Sequence, residues 1–370
     1  MSALRLGVIG CGFIGHQHLR AARRLDQVAL SAVVDADALR AKTTADEFNV
    51  PTSSSQAATI INDDNIDAIV LAIPTAGRAA LAMAALNAGK HVLLEKPVAM
   101  NAAEVSSMLA AQGNLTCACA SARYRFTNAA EKATRFLASG ALGDLRMLRC
   151  RAVQGVGVPP QNSPPHWRVN RSLNGGGILV NWGSYDLDFL LGITGWALKP
   201  TEVLAQTWRV APQLSAHIAP GSDAESHVTA LIRCQQDCCI VLERGEFLAA
   251  PSENIWEIIG SKGTLRINMS RIAGSYSLKY YHADPQRGLN SEVLWEATTA
   301  ESDQDDVILA DGPLSDFVAA IRDRRPPRTG LQEALTIAHI TDAIYASAAC
   351  GRAVAVVSAM EYATCSAASS

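Results

Sequence analysis

The fold of this 370-residue chain is decided by a short stretch near its start, Leu6-Gly7-Val8-Ile9-Gly10-Cys11-Gly12-Phe13-Ile14-Gly15. Its apolar first residues predict a strand, and the residues from Ile14 onward predict a helix. Gly10 permits a tight turn, Gly12 lets the backbone approach a bound group, and Gly15 lets the helix pack closely. A strand, a glycine-rich turn and a helix N-terminus in this order predict a site for a dinucleotide pyrophosphate.

The end of the second predicted strand supports this interpretation. Asp35 lies 20 residues after Gly15, where a carboxylate accepts hydrogen bonds from both ribose hydroxyls of a dinucleotide. The alternative is that the glycines serve only a turn and that Asp35 only caps a helix. Because Asp37 adds a second negative charge that would repel a 2′-phosphate, we expect NAD to be preferred, while Arg40 keeps NADP possible.

Short apolar runs alternate with helical stretches over residues 1–122, which predicts a doubly wound parallel sheet in a dinucleotide-binding Rossmann domain. The predicted strands are Leu6–Ile9, Val28–Val34, Ala68–Ile73, His91–Leu94 and Thr116–Ala120. The predicted helices are Ile14–Leu25, Ala38–Phe48, Ala79–Ala88 and Ala103–Gln112.

The pattern changes to that of an α+β domain over residues 123–370. A helical stretch is followed by consecutive apolar runs without regular helices between them, and this order predicts a mostly antiparallel sheet. The predicted strands are Leu145–Gln154, Val203–Val210, His227–Arg233, Cys239–Gly245, Ile255–Ile259, Thr264–Ile267 and Ser275–Tyr281. The predicted helices are Asn128–Ser139, Leu314–Ile321 and Leu331–Ala349, and Val158–Trp167 is predicted to be an ordered loop.

The composition excludes several classes of protein. Hydrophobic residues make up 49% and charged residues 18% of the chain, a balance typical of globular proteins. A formal net charge of −3 supplies no cationic field for nucleic acid. Without a signal peptide or a long apolar run, the chain is expected to be cytoplasmic and not bound to membranes. Its nine cysteines contain no Cys-x-x-Cys pair, so reduced thiols and no metal site are expected.

Further motifs are spread over almost the whole chain. They are Ala72-Ile73-Pro74, Glu95-Lys96-Pro97, Gly140-Ala141-Leu142-Gly143, Trp167-Arg168, Gly175-Gly176-Gly177, the run from Ile259 to Thr264 and the run from Ser347 to Arg352. Together with the glycine-rich turn, they resemble the glucose-fructose oxidoreductase / inositol dehydrogenase (Gfo/Idh/MocA) family. The resemblance implies that residues 123–370 form a substrate-binding and oligomerisation domain with a large open sheet, that this sheet builds a homodimer or homotetramer, and that hydride moves between a nicotinamide and a sugar, polyol or related substrate.

Lys96 is the first candidate catalytic residue. It follows the predicted strand His91–Leu94, at the end where open α/β sheets bind their ligands. An isolated lysine would be a solvated surface charge, but the resemblance implies contact with both cofactor and substrate. We expect desolvation beside a cationic nicotinamide to lower its pKa from about 10.4, so that it exchanges a proton with the reacting hydroxyl or donates a hydrogen bond to it.

A polar stripe follows the triple glycine. Helical spacing puts Asn181, Tyr185 and Asp188 along one face. In many relatives the first two positions hold Asp and His, the latter being the acid/base, and this chain departs from both. Tyr185 is the second candidate for proton transfer, with a core tyrosine as the alternative, whereas Asn181 only orients a substrate hydroxyl. Asp188 is expected to brace the helix or a loop.

The resemblance implies further contacts. Substrate contacts are expected from Asn181, Arg168, Tyr124 and His166. Cofactor contacts are expected from Gly10, Gly12, Phe13, Ile14, Gly15, Asp35, Ala72, Pro74, Glu95, Lys96 and Trp167. Arg78 stands where relatives commonly have His and is assigned no role.

Three functions remain open at this point. The leading hypothesis is an NAD(P)-dependent dehydrogenase or reductase acting on CH–OH groups. The second is a glycoside hydrolase that uses transient oxidation by NAD and regenerates the cofactor in each turnover. The third is a non-catalytic NAD(P)-sensing regulator, which Asn181 favours and an intact Lys96 and Tyr185 disfavour.

Overall fold

A computed structural model describes residues 3–162, 164–269 and 275–356. The chain divides into two compact units, residues 1–123 with 307–335 and residues 124–306 with 336–370. The last part of the predicted second domain, residues 357–370, lies outside the described residues, as does Ser163 in the predicted loop Val158–Trp167.

The first unit is built on a parallel sheet. Its strands are β1 (Leu4–Ile9), β2 (Val28–Val34), β3 (Thr52–Ser54), β4 (Ala68–Leu71), β5 (His91–Leu94) and β6 (Cys117–Cys119). Its connecting helices are α1 (Phe13–Arg23), α2 (Ala38–Phe48), α3 (Ala58–Ile61), α4 (Arg78–Asn87) and α5 (Ala102–Ala111). The six strands lie in the order β3-β2-β1-β4-β5-β6, and every neighbouring pair is parallel. This order is that of a Rossmann fold, so the predicted fold class of this part is confirmed.

Burial explains which strands the sequence pattern predicts. All four residues of β4 are buried, and its apolar run is typical of a central parallel strand. The short edge strand β3 is half-buried and polar, so its composition does not distinguish it from a loop.

The first unit also contains a segment from late in the chain, residues 307–335. Leu314, Phe317 and Val318 belong to the same buried cluster as Leu19 and Ala22 of α1. They lie on α9 (Thr299–Asp323), of which the prediction Leu314–Ile321 covers only the C-terminal part. Charged residues before Leu314 interrupt the apolar pattern, so the start of this helix is not predicted from the sequence. Local periodicity also does not predict that the segment packs with the first unit.

The second unit is built on a nine-stranded sheet. Its strands are β7 (Leu145–Gly155), β8 (Pro200–Trp208), β9 (His227–Cys234), β10 (Cys239–Leu248), β11 (Glu253–Gly260), β12 (Gly263–Asn268), β13 (Ser277–Asp284), β14 (Gly288–Glu296) and β15 (Val354–Ala355). The order is β14-β13-β12-β11-β7-β10-β9-β8-β15, in which β7 and β10 are parallel and the other neighbouring pairs antiparallel. The predicted α+β class with a mostly antiparallel sheet is confirmed.

Helices cover one face of this sheet. They are α6 (Asn128–Ala138), α8 (Ser184–Ile193) and α10 (Leu331–Cys350). A short helix, α7 (Arg171–Asn174), comes before the triple glycine, and a π-helical segment, Leu179–Gly183, directly precedes α8. Alternate residues of β9, among them Val228 and Ile232, are buried in the same core as Phe189 of α8. Leu231, between them, points to the opposite face and is 43% exposed.

Candidate functional site

The glycine-rich turn leaves open backbone at the start of α1. Gly10 has φ +102°, and a Cβ there would lie 2.4 Å from the carbonyl oxygen of Ala72. A Cβ on Gly15 would lie 1.8 Å from the carbonyl oxygen of Gly10, so neither position accepts a side chain. A Cβ on Gly12 would meet no described atom within 4 Å. Close packing thus requires glycine at positions 10 and 15, whereas Gly12 borders free space.

The N-terminus of α1 is suited to an anion. Gly12 is its N-cap and has no side chain to accept hydrogen bonds from the first N–H groups, and the first turn contains no acidic residue. These N–H groups and the helix dipole therefore remain available to a phosphate group.

Asp35 lies beside this turn at the end of β2. Its Oδ2 accepts a hydrogen bond from the Cys11 amide at 2.9 Å, and its Oδ1 accepts one from the Asp37 amide at 3.0 Å. The Arg40 guanidinium lies 3.3 Å from Asp35 Oδ1. This arrangement fits NAD, because the glycine-lined space and the helix amides suit a pyrophosphate and the oriented carboxylate suits a ribose. The carboxylates of Asp35 and Asp37, both near Arg40, would repel a 2′-phosphate.

Lys96 is the second residue after β5, and Glu95, the residue between them, is buried in the first unit. One oxygen of the Glu95 carboxylate accepts hydrogen bonds from His18 Nε2 at 2.9 Å and from Arg123 at 3.0 Å. The other carboxylate oxygen accepts a hydrogen bond from the Lys96 amide at 3.1 Å. Burial by itself would raise the pKa of Glu95, but the His18 hydrogen bond and the charge of Arg123 hold it well below its ordinary value. This buried carboxylate anchors the start of the segment that carries Lys96.

Arg78 lies under the same segment. Its guanidinium donates hydrogen bonds to the backbone carbonyls of Glu95, Pro97 and Ile73. Burial lowers the pKa of Arg78 to about 10, against the influence of Glu95, so it is a cation at neutral pH.

In the second unit, a buried glutamate organises the segment after the triple glycine. Glu225 accepts hydrogen bonds from the amides of Gly177 and Leu179 at 3.0 and 3.1 Å and from the Tyr345 hydroxyl at 2.9 Å. Asn181 lies in the π-helical segment that follows. Such segments are frequent at functional sites, and this one changes the spacing between Asn181 and Tyr185 from that of a regular helix.

Tyr185 is buried near the start of α8, with 5% of its surface exposed. Its ring centroid lies 5.1 Å from that of Tyr124 and 5.9 Å from that of Trp182. Both neighbours line a cavity of about 190 Å³. Tyr185 therefore lies directly behind this cavity wall.

The cavity is lined by Tyr124, Val153, Gln154, Ile178, Trp182, Arg244, Gly245, Glu246, Asn254, Trp256 and Met269. Arg244 and Glu246 are buried, and neither is among the site residues predicted from the sequence. A signal was present, because Ile240, Leu242, Arg244 and Glu246 alternate along β10 and so share a face. Charged residues that continue an inward-facing apolar pattern indicate a site.

The charges at the cavity are paired. Arg244 Nε lies 3.3 Å from Asp186 Oδ2, and Arg168 forms an ion pair with Glu246. Burial raises the pKa of Asp186, with Arg244 opposing, and burial raises the pKa of Glu246, with Arg168 opposing. Two cations and two carboxylates make this environment polar without a net charge.

The remaining predicted residues are distributed as follows. Tyr124 lines the cavity, and Arg168 contacts Glu246 there, whereas His166 and Trp167 are exposed. Asp188 lies 3.4 Å from Arg125, in agreement with a bracing role. Residues 10–96 of the predicted cofactor set belong to the first unit, and Trp167 belongs to the second. Their predicted roles stay predictions.

Within residues 3–162, 164–269 and 275–356, no group of three or more His, Cys, Asp or Glu side chains is arranged to hold a metal ion. The cysteines in these ranges are free thiols, and Cys365 lies outside them. No helix of the described chain has the length and apolar character of a membrane span.

Residues 4–122 match the family model "Oxidoreductase family, NAD-binding Rossmann fold", and residues 130–266 match the "GFO/IDH/MocA C-terminal domain". The chain belongs to the Gfo/Idh/MocA family. NAD binding by its Rossmann domain, predicted from the glycine-rich turn, is thereby confirmed, as is the resemblance.

Among curated relatives of this Gfo/Idh/MocA protein is levoglucosan dehydrogenase of Pseudarthrobacter phenanthrenivorans, 30% identical over 217 residues. That alignment covers 56% of this chain and 55% of the relative, so the chain spans about half the length of that enzyme. D-Apiose dehydrogenase of Paraburkholderia graminis is 24% identical over 363 residues, covering 94% of this chain and 88% of the relative.

A solved structure extends the likeness to the whole fold. Levoglucosan dehydrogenase in complex with NADH and L-sorbose superposes with a TM-score of 0.81 at 25% identity. The superposition covers 96% of this chain and 99% of that one.

Proposed function

We propose that this protein transfers hydride between NAD and a carbinol or carbonyl carbon of an uncharged sugar or polyol. The observation that carries the proposal is the oriented Asp35 carboxylate beside the free N-terminus of α1, in a family of NAD-binding oxidoreductases. The relatives named for levoglucosan and D-apiose support a sugar as substrate.

Bound NAD supplies the nicotinamide carbon that accepts or gives the hydride. The first N–H groups of α1 would donate hydrogen bonds to the pyrophosphate, and the Asp35 carboxylate would accept hydrogen bonds from the ribose hydroxyls. We infer that Lys96 holds or moves the proton of the reacting hydroxyl at its Nζ. Tyr185 is proposed to relay a proton at its hydroxyl, and Asn181 to orient the substrate.

The cavity supports an uncharged substrate. Trp182 and Trp256 offer apolar ring surface, and Gln154 and Asn254 offer amide groups that pair with hydroxyls. Because the buried charges already neutralise each other, an additional carboxylate or phosphate would lie there desolvated and unpaired. We expect neutral hydroxylated rings to be accepted and sugar acids and sugar phosphates to be rejected.

A spectrophotometric screen tests the proposal. The purified protein is given NAD with levoglucosan, other neutral sugars and cyclitols, and in parallel with uronates and sugar phosphates, while reduced nicotinamide is followed by absorbance. We expect turnover of a neutral compound and a lower dissociation constant for NAD than for NADP. Tight NAD binding with no turnover favours the regulator instead, and glycoside cleavage without net absorbance change favours the hydrolase.

Replacement of Tyr185 by Phe tests its proton-transfer role. The substitution removes the hydroxyl and keeps the ring packed between Tyr124 and Trp182, so the protein is expected to fold. Turnover of the substrate found in the screen is expected to fall about 10²-fold or more. A tyrosine with a purely structural role would leave turnover near normal and cost at most about 1 to 3 kcal/mol of unfolding free energy in a thermal melt.

We also propose a homodimer or homotetramer formed through the outer face of the second unit's sheet, in the cytoplasm. Leu204 and Leu231 on neighbouring strands of that face are 50% and 43% exposed. Leu231→Arg is expected to shift the mass in sedimentation equilibrium toward the monomer, whereas an unchanged mass would exclude this face as the interface.

The proposed cytoplasmic location is a separate point. The free thiols of Cys11 and Cys117 are compatible with a reducing compartment, which cell fractionation tests.

A further inference from the structure

Arg78 is a charged side chain inside the first unit, with only 2% of its surface exposed. It is the first residue of α4, and its guanidinium donates to backbone carbonyls. The acceptors are the carbonyls of Glu95, at 2.6 Å, of Pro97 and of Ile73. The contacts therefore use the fixed planar arrangement of several donors that distinguishes arginine from lysine.

The three acceptors surround the segment that carries Lys96. Glu95 and Pro97 are its immediate neighbours in the chain, and Ile73 follows β4, which pairs with β5. A single cation thus connects the backbone before and after Lys96 to the end of the adjacent strand. Because these carbonyls are held, the direction in which the Lys96 side chain leaves the backbone is also held.

Lys90 provides a comparison at the other end of β5. Its ammonium is also buried, with 6% exposure of the residue, and donates to the carbonyls of Asp63 at 2.8 Å and Ile66 at 3.0 Å. Both cations donate hydrogen bonds to backbone carbonyl groups, but of the two only Arg78 contacts the residues that flank Lys96. Lys90 is therefore a control for a buried cation whose role is only to stabilise the fold.

We propose that Arg78 is the positioning residue for Lys96. It acts through the carbonyls of Glu95 and Pro97 and needs no contact of its own with substrate. The catalytic part of this inference rests on the proposed function of Lys96, whereas the structural part does not.

The experiment compares Arg78→Lys, Arg78→Met and Lys90→Met by hydrogen–deuterium exchange of a peptide spanning residues 92–100. In both Arg78 variants we expect the Lys96 amide, which donates to Glu95, to exchange about tenfold faster. Lys90→Met is expected to lower the melting temperature and leave this amide unchanged. Arg78→Lys keeps the buried charge, so it remains informative if Arg78→Met does not fold.

Kinetics supply the second readout. With a substrate from the screen, kcat of Arg78→Lys is expected to fall about 10- to 100-fold, with the dissociation constant for NADH and KM changed less than about threefold. Equal loss of kcat in Lys90→Met, or full rescue by Arg78→Lys, would overturn the proposal. Unchanged exchange at Lys96 would do so even without a substrate, so this failure is separate from failure of the proposed function.

Discussion

Lys96→Ala is expected to lower turnover by about 10²-fold or more while the dissociation constant for NADH changes by less than roughly tenfold. Lys96 follows β5 at the carboxyl edge of the sheet, where ligands bind in this fold. The substitution removes the proposed proton donor and acceptor. It leaves the Asp35 carboxylate and the N-terminus of α1, which we expect to supply most of the cofactor's binding energy.

Single-turnover and steady-state rates measure this effect, with NADH fluorescence reporting binding. Lys42→Ala is the matched control, because Lys42 lies on the exposed surface of α2, paired with Asp46. The control is expected to keep normal turnover. Normal turnover in Lys96→Ala would remove the lysine from the mechanism and leave the proton to Tyr185 or to water.

Glu95→Gln is expected to lower the free energy of unfolding of the first unit by about 3 to 5 kcal/mol. The carboxylate is buried and accepts hydrogen bonds from His18 and Arg123. An uncharged amide leaves the partly buried Arg123 guanidinium without this carboxylate partner. Urea denaturation measures the loss. Glu47→Gln is the control, since Glu47 is half exposed and lies 3.3 Å from His16, and it is expected to cost less than about 1 kcal/mol.

The stabilisation by Glu95 is expected to depend on pH. Its folded-state pKa is held below the ordinary value of 4.5, so folding favours the charged form. The contribution is fully present above pH 4.5 and is lost as the pH falls through the folded-state pKa. The difference between wild type and Glu95→Gln should therefore shrink between pH 7 and pH 3. A difference that stays constant would show that the carboxylate charge is not what stabilises this cluster.

The sequence by itself determined the features that depend on neighbours in the chain. The turn from Gly10 to Gly15 and the distance to Asp35 predicted the Rossmann fold and NAD, since a tight turn and a strand end are local requirements. Local patterns located most central elements, such as β2 and α2. A helix buried on one face repeats its apolar residues with the helical period, and a central parallel strand is a short apolar run.

Only the tertiary structure decided which distant side chains meet. The pairs His18–Glu95 and Arg168–Glu246 join residues 77 and 78 positions apart, and no period in the chain encodes such a distance. The contacts of Arg78 could not be predicted from the sequence either, because its partners are backbone carbonyls, which every residue has. A sequence pattern reports which face of an element is buried, whereas packing of separate elements decides what that face contacts, and in this protein the environment of Lys96 and the charges of the cavity depend on that packing.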